Sequence, residues 1–293
     1  MQLQSLRSFA EVCRLGSITA AAAALGYTQS AVSRQIAGLE ADTGAALLVR
    51  LPRGVAPTDA GVAVLRHART IVRELDRMAE AVASPESAPV RLALGAVPSA
   101  AAGLVPRMAA EVRAAYPEAR LTFYESTTPD LLQRVGDGDL DVAVVTDYPP
   151  GLPALTGVTV HHLLDDEVHV AMSTAHPLAG STRRVRLERF AGEDWVEDYR
   201  GSARALVEAC ARAGFSPRIE HECGGWTGKL GLIAAGAGVG IVPGLLAGLV
   251  RPDVVCRRLV DPPVRGVYAV VPDAVAEQPI VATSLDALAR SAP

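Results

Sequence analysis

The chain has 293 residues, of which 49% are hydrophobic and 20% are charged, and its formal net charge is −4. This length suffices for two or three domains, and this composition excludes wholesale disorder. The slightly acidic balance gives no global sign of nucleic-acid binding, so any such binding must rest on locally placed arginines.

The four cysteines are scattered and form no C-x-x-C pair; they are Cys13, Cys210, Cys223 and Cys256. Such cysteines are typical of small buried side chains in a reducing compartment. The first residues lack the basic and then apolar pattern of a signal peptide, and no apolar run reaches the ~18 residues of a membrane-spanning helix. We therefore expect a cytoplasmic protein without a membrane partner.

Three short helices are predicted first, and a glycine turn joins the last two. A helix over Leu3–Val12 begins the chain. Ser17 can accept a backbone N–H at the start of the second helix, which Gly26 ends. Thr28 can cap the third helix in the same way, and Gly44 ends it.

The third helix has one apolar and one polar face. Val32, Ile36 and Leu39 share the apolar face because they are spaced i, i+4 and i+7. Two short helices with a polar second helix form a helix-turn-helix, whose second helix enters the DNA major groove. A helical hairpin that does not touch DNA is the alternative that this stretch leaves open. The predicted DNA-facing residues are Thr28, Gln29, Ser30, Ser33 and Arg34.

A β-wing is predicted next, from two short apolar runs around Pro52-Arg53-Gly54. Arg50 and Arg53 near its tip are candidates for phosphate or minor-groove contacts, and a solvated turn is the alternative.

A long helix from Asp59 to Val82 follows, with apolar residues spaced by threes and fours as in a coiled coil. The small unit before this helix is not large enough to cover the apolar side chains along its whole length. A second copy of the helix is the simplest way to bury them, so we expect a homodimer. The predicted dimer seam contains Leu65, Val72 and Leu75, and residues 83–89 are predicted to be a linker.

Strands and helices alternate beyond residue 90, which predicts a mostly parallel sheet with helices on both faces. We expect two α/β lobes, the first over about residues 90–161 and 267–293 and the second over about residues 162–266. The chain is predicted to cross between them near His161–Leu163 and again near Pro262–Gly266, forming a hinge around a cleft.

Polar residues at the carboxyl ends of the strands are predicted to line this cleft. Ser99 follows the first strand and opens a helix, where backbone N–H groups can hold an anion. Each of these serines and threonines could instead be an ordinary helix cap. The full set of candidates is Ser99, Thr127, Thr128 and Thr146 from the first lobe and, more weakly, Tyr199, Trp226 and Thr227 from the second.

Enzyme, cofactor and metal chemistry find little support. The glycine string at 236–240 has Ile241 where a dinucleotide-binding fingerprint needs glycine, and it runs from a helix into a strand. His161 and His162 point to opposite faces of a strand and cannot easily share a metal. The acidic pairs Asp139/Asp141 and Glu197/Asp198 are interpreted as caps or solvated edges. We expect no enzyme, no cofactor and no metal.

Four segments of the chain carry a resemblance to a known family. They are LRSFAEVCRLGSITAAAAALGYTQSAVSRQIAGLEADTG (6–44), PTDAG (57–61), GDGDLDVA (136–143) and AAGAGVGIVP (234–243). With these segments the whole chain resembles a LysR-type transcriptional regulator. It departs from the family at residues 47–50, which are Leu-Leu-Val-Arg where the family usually has Leu-Phe-Glu-Arg, and this puts a wing ion pair in doubt.

The resemblance implies an α/β multidomain protein with a winged helix-turn-helix over 1–58 and a dimerising linker helix and hinge over 59–89. A two-lobed, periplasmic-binding-protein-like effector domain over 90–293 would follow, usually in a tetramer. It implies an operator in double-stranded DNA, a small-molecule effector and, for an activator, RNA polymerase as a partner. It also implies that positions like Ser99, Thr128 and Thr146 face the ligand. The neutral donors beside a helix terminus suggest that the effector is a small metabolite, often a carboxylate. A solute-binding module without DNA function is the alternative, and it leaves the first 82 residues unexplained.

Overall fold

The computed structural model describes residues 2–83, 90–148, 151–198 and 202–291. These fall into two compact units, one of residues 1–91 with 133–141 and one of residues 92–132 with 142–293. Residues 84–89 of the predicted linker (83–89) and the candidate Tyr199 lie outside the described residues, and Ala83 is the last residue of the long helix. In the described ranges no helix is long and apolar enough to cross a membrane.

The first unit begins with three helices, whose predicted caps are confirmed. Ser17 Oγ accepts a hydrogen bond from the backbone N–H of Ala20 at 3.3 Å. Thr28 Oγ1 accepts one from Ala31 at 3.2 Å. Gly26 has a φ of 71°, the left-handed conformation that ends a helix at little cost to glycine. The helices are α1 (Leu3–Leu15), α2 (Ile18–Leu25) and α3 (Gln29–Thr43).

The three helices share one apolar core. The predicted apolar face of α3 is buried, with Val32 and Leu39 inaccessible to solvent, and it packs with Phe9 and Val12 of α1. Burying a side chain of this kind stabilises the fold by roughly 1.5–3 kcal/mol. The core therefore fixes which face α3 leaves to solvent.

The wing follows as an antiparallel pair, β1 (Leu48–Leu51) and β2 (Gly54–Pro57). Gly54 has a φ of 99°, and a Cβ there would lie 2.3 Å from the carbonyl oxygen of Gly16, so the turn requires glycine. Glu40 Oε1 accepts the backbone N–H of Leu47 at 2.7 Å. This chain has Val49 where the family usually has an acid in the wing. The carboxylate of Glu40 on α3 instead supports the start of the wing.

The long helix α4 (Asp59–Ala83) has 25 residues. Leu65 and Ala68 are buried against the core of the helix-turn-helix, to which α1 and α4 both contribute. Leu65 is therefore a core residue of its own chain, because α1 covers this part of α4. Val72 packs partly against the same core.

Beyond residue 90 strands and helices alternate, as predicted, with two 3-10 turns at 187–190 and 273–275. The strands are β3 (Arg91–Ala96), β4 (Arg120–Glu125), β5 (Val142–Thr146), β6 (Val158–Ser173), β7 (Asp194–Asp198), β8 (Arg218–Cys223), β9 (Gly240–Pro243), β10 (Val254–Arg258) and β11 (Val264–Pro272). The helices are α5 (Pro98–Gly103), α6 (Val105–Ala115), α7 (Thr128–Gly136), α8 (Ser202–Arg212), α9 (Trp226–Ala234), α10 (Gly244–Ala247) and α11 (Pro279–Ser291).

The main sheet has the strand order β10-β6-β11-β5-β3-β4, and β9 also pairs with β6. The expectation of a mostly parallel sheet was wrong. Strands β3 and β5 are parallel, but β11 is antiparallel to both β5 and β6, and β6 is antiparallel to β9 and β10. The reason is that β6 leads the chain out of the first set of elements and β11 brings it back beside β6, so the two run in opposite directions.

Candidate nucleic-acid interface and ligand cavity

The start of α3 presents a polar surface. Thr28, Gln29, Ser30 and Arg34 are exposed, and Ser33 is half-buried. Gln29 Nε2 donates to Ser33 Oγ at 3.0 Å, one helical turn along the same face. The burial of the opposite face places amide, hydroxyl and guanidinium groups together on the solvent side, where they can reach base edges.

Two arginines of the wing belong to the same unit. Arg50 and Arg53 are both exposed, on β1 and in the turn before Gly54. Exposed arginines outside a recognition helix are suited to phosphate contacts, which position a protein on DNA but carry no sequence information.

A cavity of about 270 Å³ lies in the second unit. It opens where β3, β4 and β5 end, so the carboxyl ends of three strands line it as predicted. Thr227 is exposed at the start of α9 and does not line it. The candidates that do line it are Ser99, Thr127, Thr128, Thr146 and Trp226.

The cavity also contains a buried cation that the sequence reasoning missed. Arg265 is 6% exposed and donates from Nη2 to Ser99 Oγ at 2.7 Å. Its Nε and Nη2 donate to Asp166 Oδ2 at 3.0 and 2.7 Å, and Asp166 Oδ1 accepts the N–H of Leu245 at 3.0 Å. A guanidinium has five N–H donors, and among the described residues none accepts a hydrogen bond from Nη1.

Ser99 and Thr128 differ in what their hydroxyl groups can do. Ser99 Oγ accepts from Arg265, so its own hydrogen can still be donated to a ligand oxygen. Thr128 Oγ1 donates to the carbonyl oxygen of Thr146 at 2.8 Å and accepts the N–H of Thr146 at 3.2 Å. The hydrogen of Thr128 is thus used to join the start of α7 to the end of β5.

The source of positive potential also differs from the expectation. Helix α5 has only six residues, and so its N-terminal dipole is weak beside a full charge. Among the described residues that line the cavity, Arg265 is the one with a cationic side chain.

Glu197 was interpreted as part of a solvated edge or cap, and this was wrong. It is fully buried, and its Oε2 lies 2.9 Å from Lys229 Nζ, which is 1% exposed. The reason is that β7, which carries Glu197, is paired with β8 and is covered by α9 and β9, so this side chain is enclosed.

Three of the four thiols lie in environments that oppose ionisation. Burial, and secondarily the charge of Glu197, raises the pKa of Cys210 to about 12. Burial raises the pKa of Cys13 and of Cys256 to about 11. In the part of the chain that the structure describes, no group of three or more His, Cys, Asp or Glu side chains could hold a metal ion.

Two family models match the chain. The model described as a bacterial regulatory helix-turn-helix protein of the lysR family matches residues 3–62, and the LysR substrate binding domain matches residues 86–293. The HTH-type transcriptional regulator TfdS of Cupriavidus pinatubonensis is 30% identical over 89% of this chain and 88% of its own. The nitrogen assimilation regulatory protein nac of Escherichia coli is 28% identical over 83% of this chain and 78% of its own.

Solved structures agree at the level of the fold. Full-length CbnR in complex with its target DNA has a TM-score of 0.66 at 23% identity and covers 100% of both chains. Full-length OxyR of Pseudomonas aeruginosa has a TM-score of 0.72 at 19% identity, over 99% of this chain and 94% of its own. The chain belongs to the LysR family: it is a DNA-binding transcriptional regulator with an effector-binding domain.

Proposed function

We propose that α3 reads the operator and that the wing holds the DNA backbone. Gln29 and Arg34 carry the groups that pair with adenine and guanine edges in the major groove, with Thr28, Ser30 and Ser33 beside them. Arg50 and Arg53 contact phosphates or the minor groove. The exposure of this polar face supports the assignment. This unit corresponds to residues 1–58, followed by the linker helix and hinge at 59–89 and the two-lobed effector domain at 90–293.

The effector is a small molecule that bears a carboxylate and binds in the cavity of about 270 Å³. The observation that carries this proposal is the buried guanidinium of Arg265, with the Ser99 hydroxyl bound to it. Thr127, Thr146 and Trp226 also line the cavity. Thr128 acts by holding Thr146 in place. Thr227 and Tyr199 remain weaker candidates for effector contacts outside the lining of the cavity.

The regulator acts in the cytoplasm as a homodimer, and dimers pair into a tetramer. Since Leu65 is used inside its own chain, the dimer contact is made by a stripe further along α4. Ile71 and Met78 are exposed there, and Leu75 lies between them, at i, i+4 and i+7. Val72 flanks the stripe. If the protein is an activator, RNA polymerase is its further partner.

The effector site is tested with a panel of small carboxylic acids, in thermal-shift assays and in titrations of operator binding. A true effector raises the midpoint of unfolding by mass action and changes the operator affinity. Ser99→Ala with Thr128→Val should remove both responses and leave ligand-free operator binding intact. A double variant that responds to the same acid at the wild-type concentration would place the site elsewhere.

A further inference from the structure

The chain contains a single lysine, Lys229, and it is buried. It lies on α9, and its Nζ is 2.9 Å from Glu197 Oε2 on β7. Both side chains are withdrawn from water, with exposed fractions of 1% and 0%. Neither residue of the pair is among those that line the cavity.

The pair nevertheless contacts two residues of the cavity wall. Lys229 Nζ lies 5.2 Å from the centroid of the Trp226 ring, within range of a cation–π interaction. Glu197 Oε1 accepts the backbone N–H of Ile241 at 3.1 Å. Trp226 and Ile241 both line the cavity. The ion pair therefore supports the wall from behind.

Space for the lysine depends on a glycine. A Cβ on Gly240 would lie 2.9 Å from Lys229 Cε and 2.7 Å from the carbonyl oxygen of Val196. Any side chain at position 240 would displace the lysine stem or the strand. The backbone of β9 thus passes Lys229 at a distance that only glycine permits.

Stability alone gives little reason for these charges. A buried ion pair can usually be replaced by apolar side chains of similar volume without loss of stability, because desolvation of the ions offsets their attraction. These charges are better explained by a positioning role, because an ammonium group above an aromatic ring restricts where the ring lies.

We propose that Lys229 is a positioning residue of the effector cavity. Its ammonium group, held by Glu197, keeps the Trp226 ring in the wall, and the shape of this side of the cavity depends on that contact. The inference rests on the proposed effector site, but its test uses neither ligand nor DNA. Its failure therefore leaves the proposed function standing.

The fluorescence of Trp226 can be measured separately, because the chain has only two tryptophans and the other can be replaced. The other, Trp195, is fully buried, and in the described part of the chain its Nε1 has no hydrogen-bond partner, so Trp195→Phe costs no hydrogen bond. In this background the emission maximum and the acrylamide quenching of Trp226 are compared with and without Glu197→Gln plus Lys229→Met. The double change removes both charges of the ion pair together, so neither of the two is left buried without the other.

We expect emission at longer wavelength and stronger quenching in the double variant, at an unchanged midpoint of thermal unfolding. Unchanged emission and quenching in a folded double variant would overturn the proposal. A second measurement uses the unmodified chain with isotope-labelled lysine, which gives one set of side-chain NMR signals. Ring-current shifts of the Lys229 methylene protons, lost on Trp226→Leu, support the contact even where the double variant does not fold. Chemical shifts of a free lysine would refute it.

Discussion

Arg265 Nη2 and Ser99 Oγ are joined by a hydrogen bond of 2.7 Å, although 166 residues separate them in the chain. The bond links β11 to the first turn of α5, and Asp166 holds the same guanidinium from the neighbouring strand β6. Polar groups from three segments that are distant in the sequence are therefore connected at the cavity wall, with Ser99 and Arg265 in the wall and Asp166 behind it.

This connection predicts a non-additive effect on stability. Arg265→Met leaves the carboxylate of Asp166 buried without its cation, which should lower the free energy of unfolding by ~3–5 kcal/mol. Adding Asp166→Asn should recover much of that loss, because the neutral amide oxygen can still accept the N–H of Leu245. Urea unfolding of the two variants measures both values. Equal losses in the single and double variants would show that the pair is not coupled.

Assembly through α4 is tested by charges on its exposed stripe. Ile71→Asp with Met78→Asp should give monomers in sedimentation at micromolar concentration, because carboxylates would be buried in the dimer contact. Val62→Asp is the matched control: Val62 is 57% exposed and lies on the opposite side of the helix. A dimer that survives the double change, or a wild-type monomer, would contradict this contact.

Three of the four thiols, those of Cys13, Cys210 and Cys256, should be nearly unreactive at neutral pH. The raised pKa values keep Cys13, Cys210 and Cys256 protonated far above pH 7, and the thiolate is the reactive form. Brief treatment with iodoacetamide at pH 7.5 should therefore leave Cys13, Cys210 and Cys256 unmodified, as followed by mass spectrometry, and Cys223→Ser serves as the control that removes the fourth thiol. Modification should increase as the pH rises toward the thiol pKa values. Rapid alkylation of Cys210 in the folded protein would show that its surroundings differ from those described.

Local signals were sufficient for the helix-turn-helix. Ser17, Gly26 and Thr28 each bond to a residue no more than four positions away. Such local contacts can be predicted from the sequence alone. The same holds for the polar positions after β3, β4 and β5, since strand ends carry their own turn signals.

Features that depend on contacts between residues far apart in the sequence could not be predicted. No spacing pairs Arg265 with Asp166, which lie 99 residues apart and become neighbours only when β6 and β11 align. Glu197 has the pattern of an exposed strand end, and its burial depends on α9 and β9 covering β7. Leu65 fits a coiled-coil seam equally well, and only the path of α1 assigns it to the internal core.

The central claim is most directly tested by footprinting the wild-type protein on the region upstream of its own gene, with and without Arg34→Ala. A two-fold dimer that reads DNA through α3 should protect two pseudo-palindromic half-sites. Arg34→Ala should weaken that protection by roughly 5-fold to 150-fold, the equivalent of ~1–3 kcal/mol for one bidentate base contact. Arg113→Ala, an exposed arginine on α6, should leave it unchanged. Protection that is equally strong with Arg34→Ala, or that shows no paired half-sites, would contradict the account.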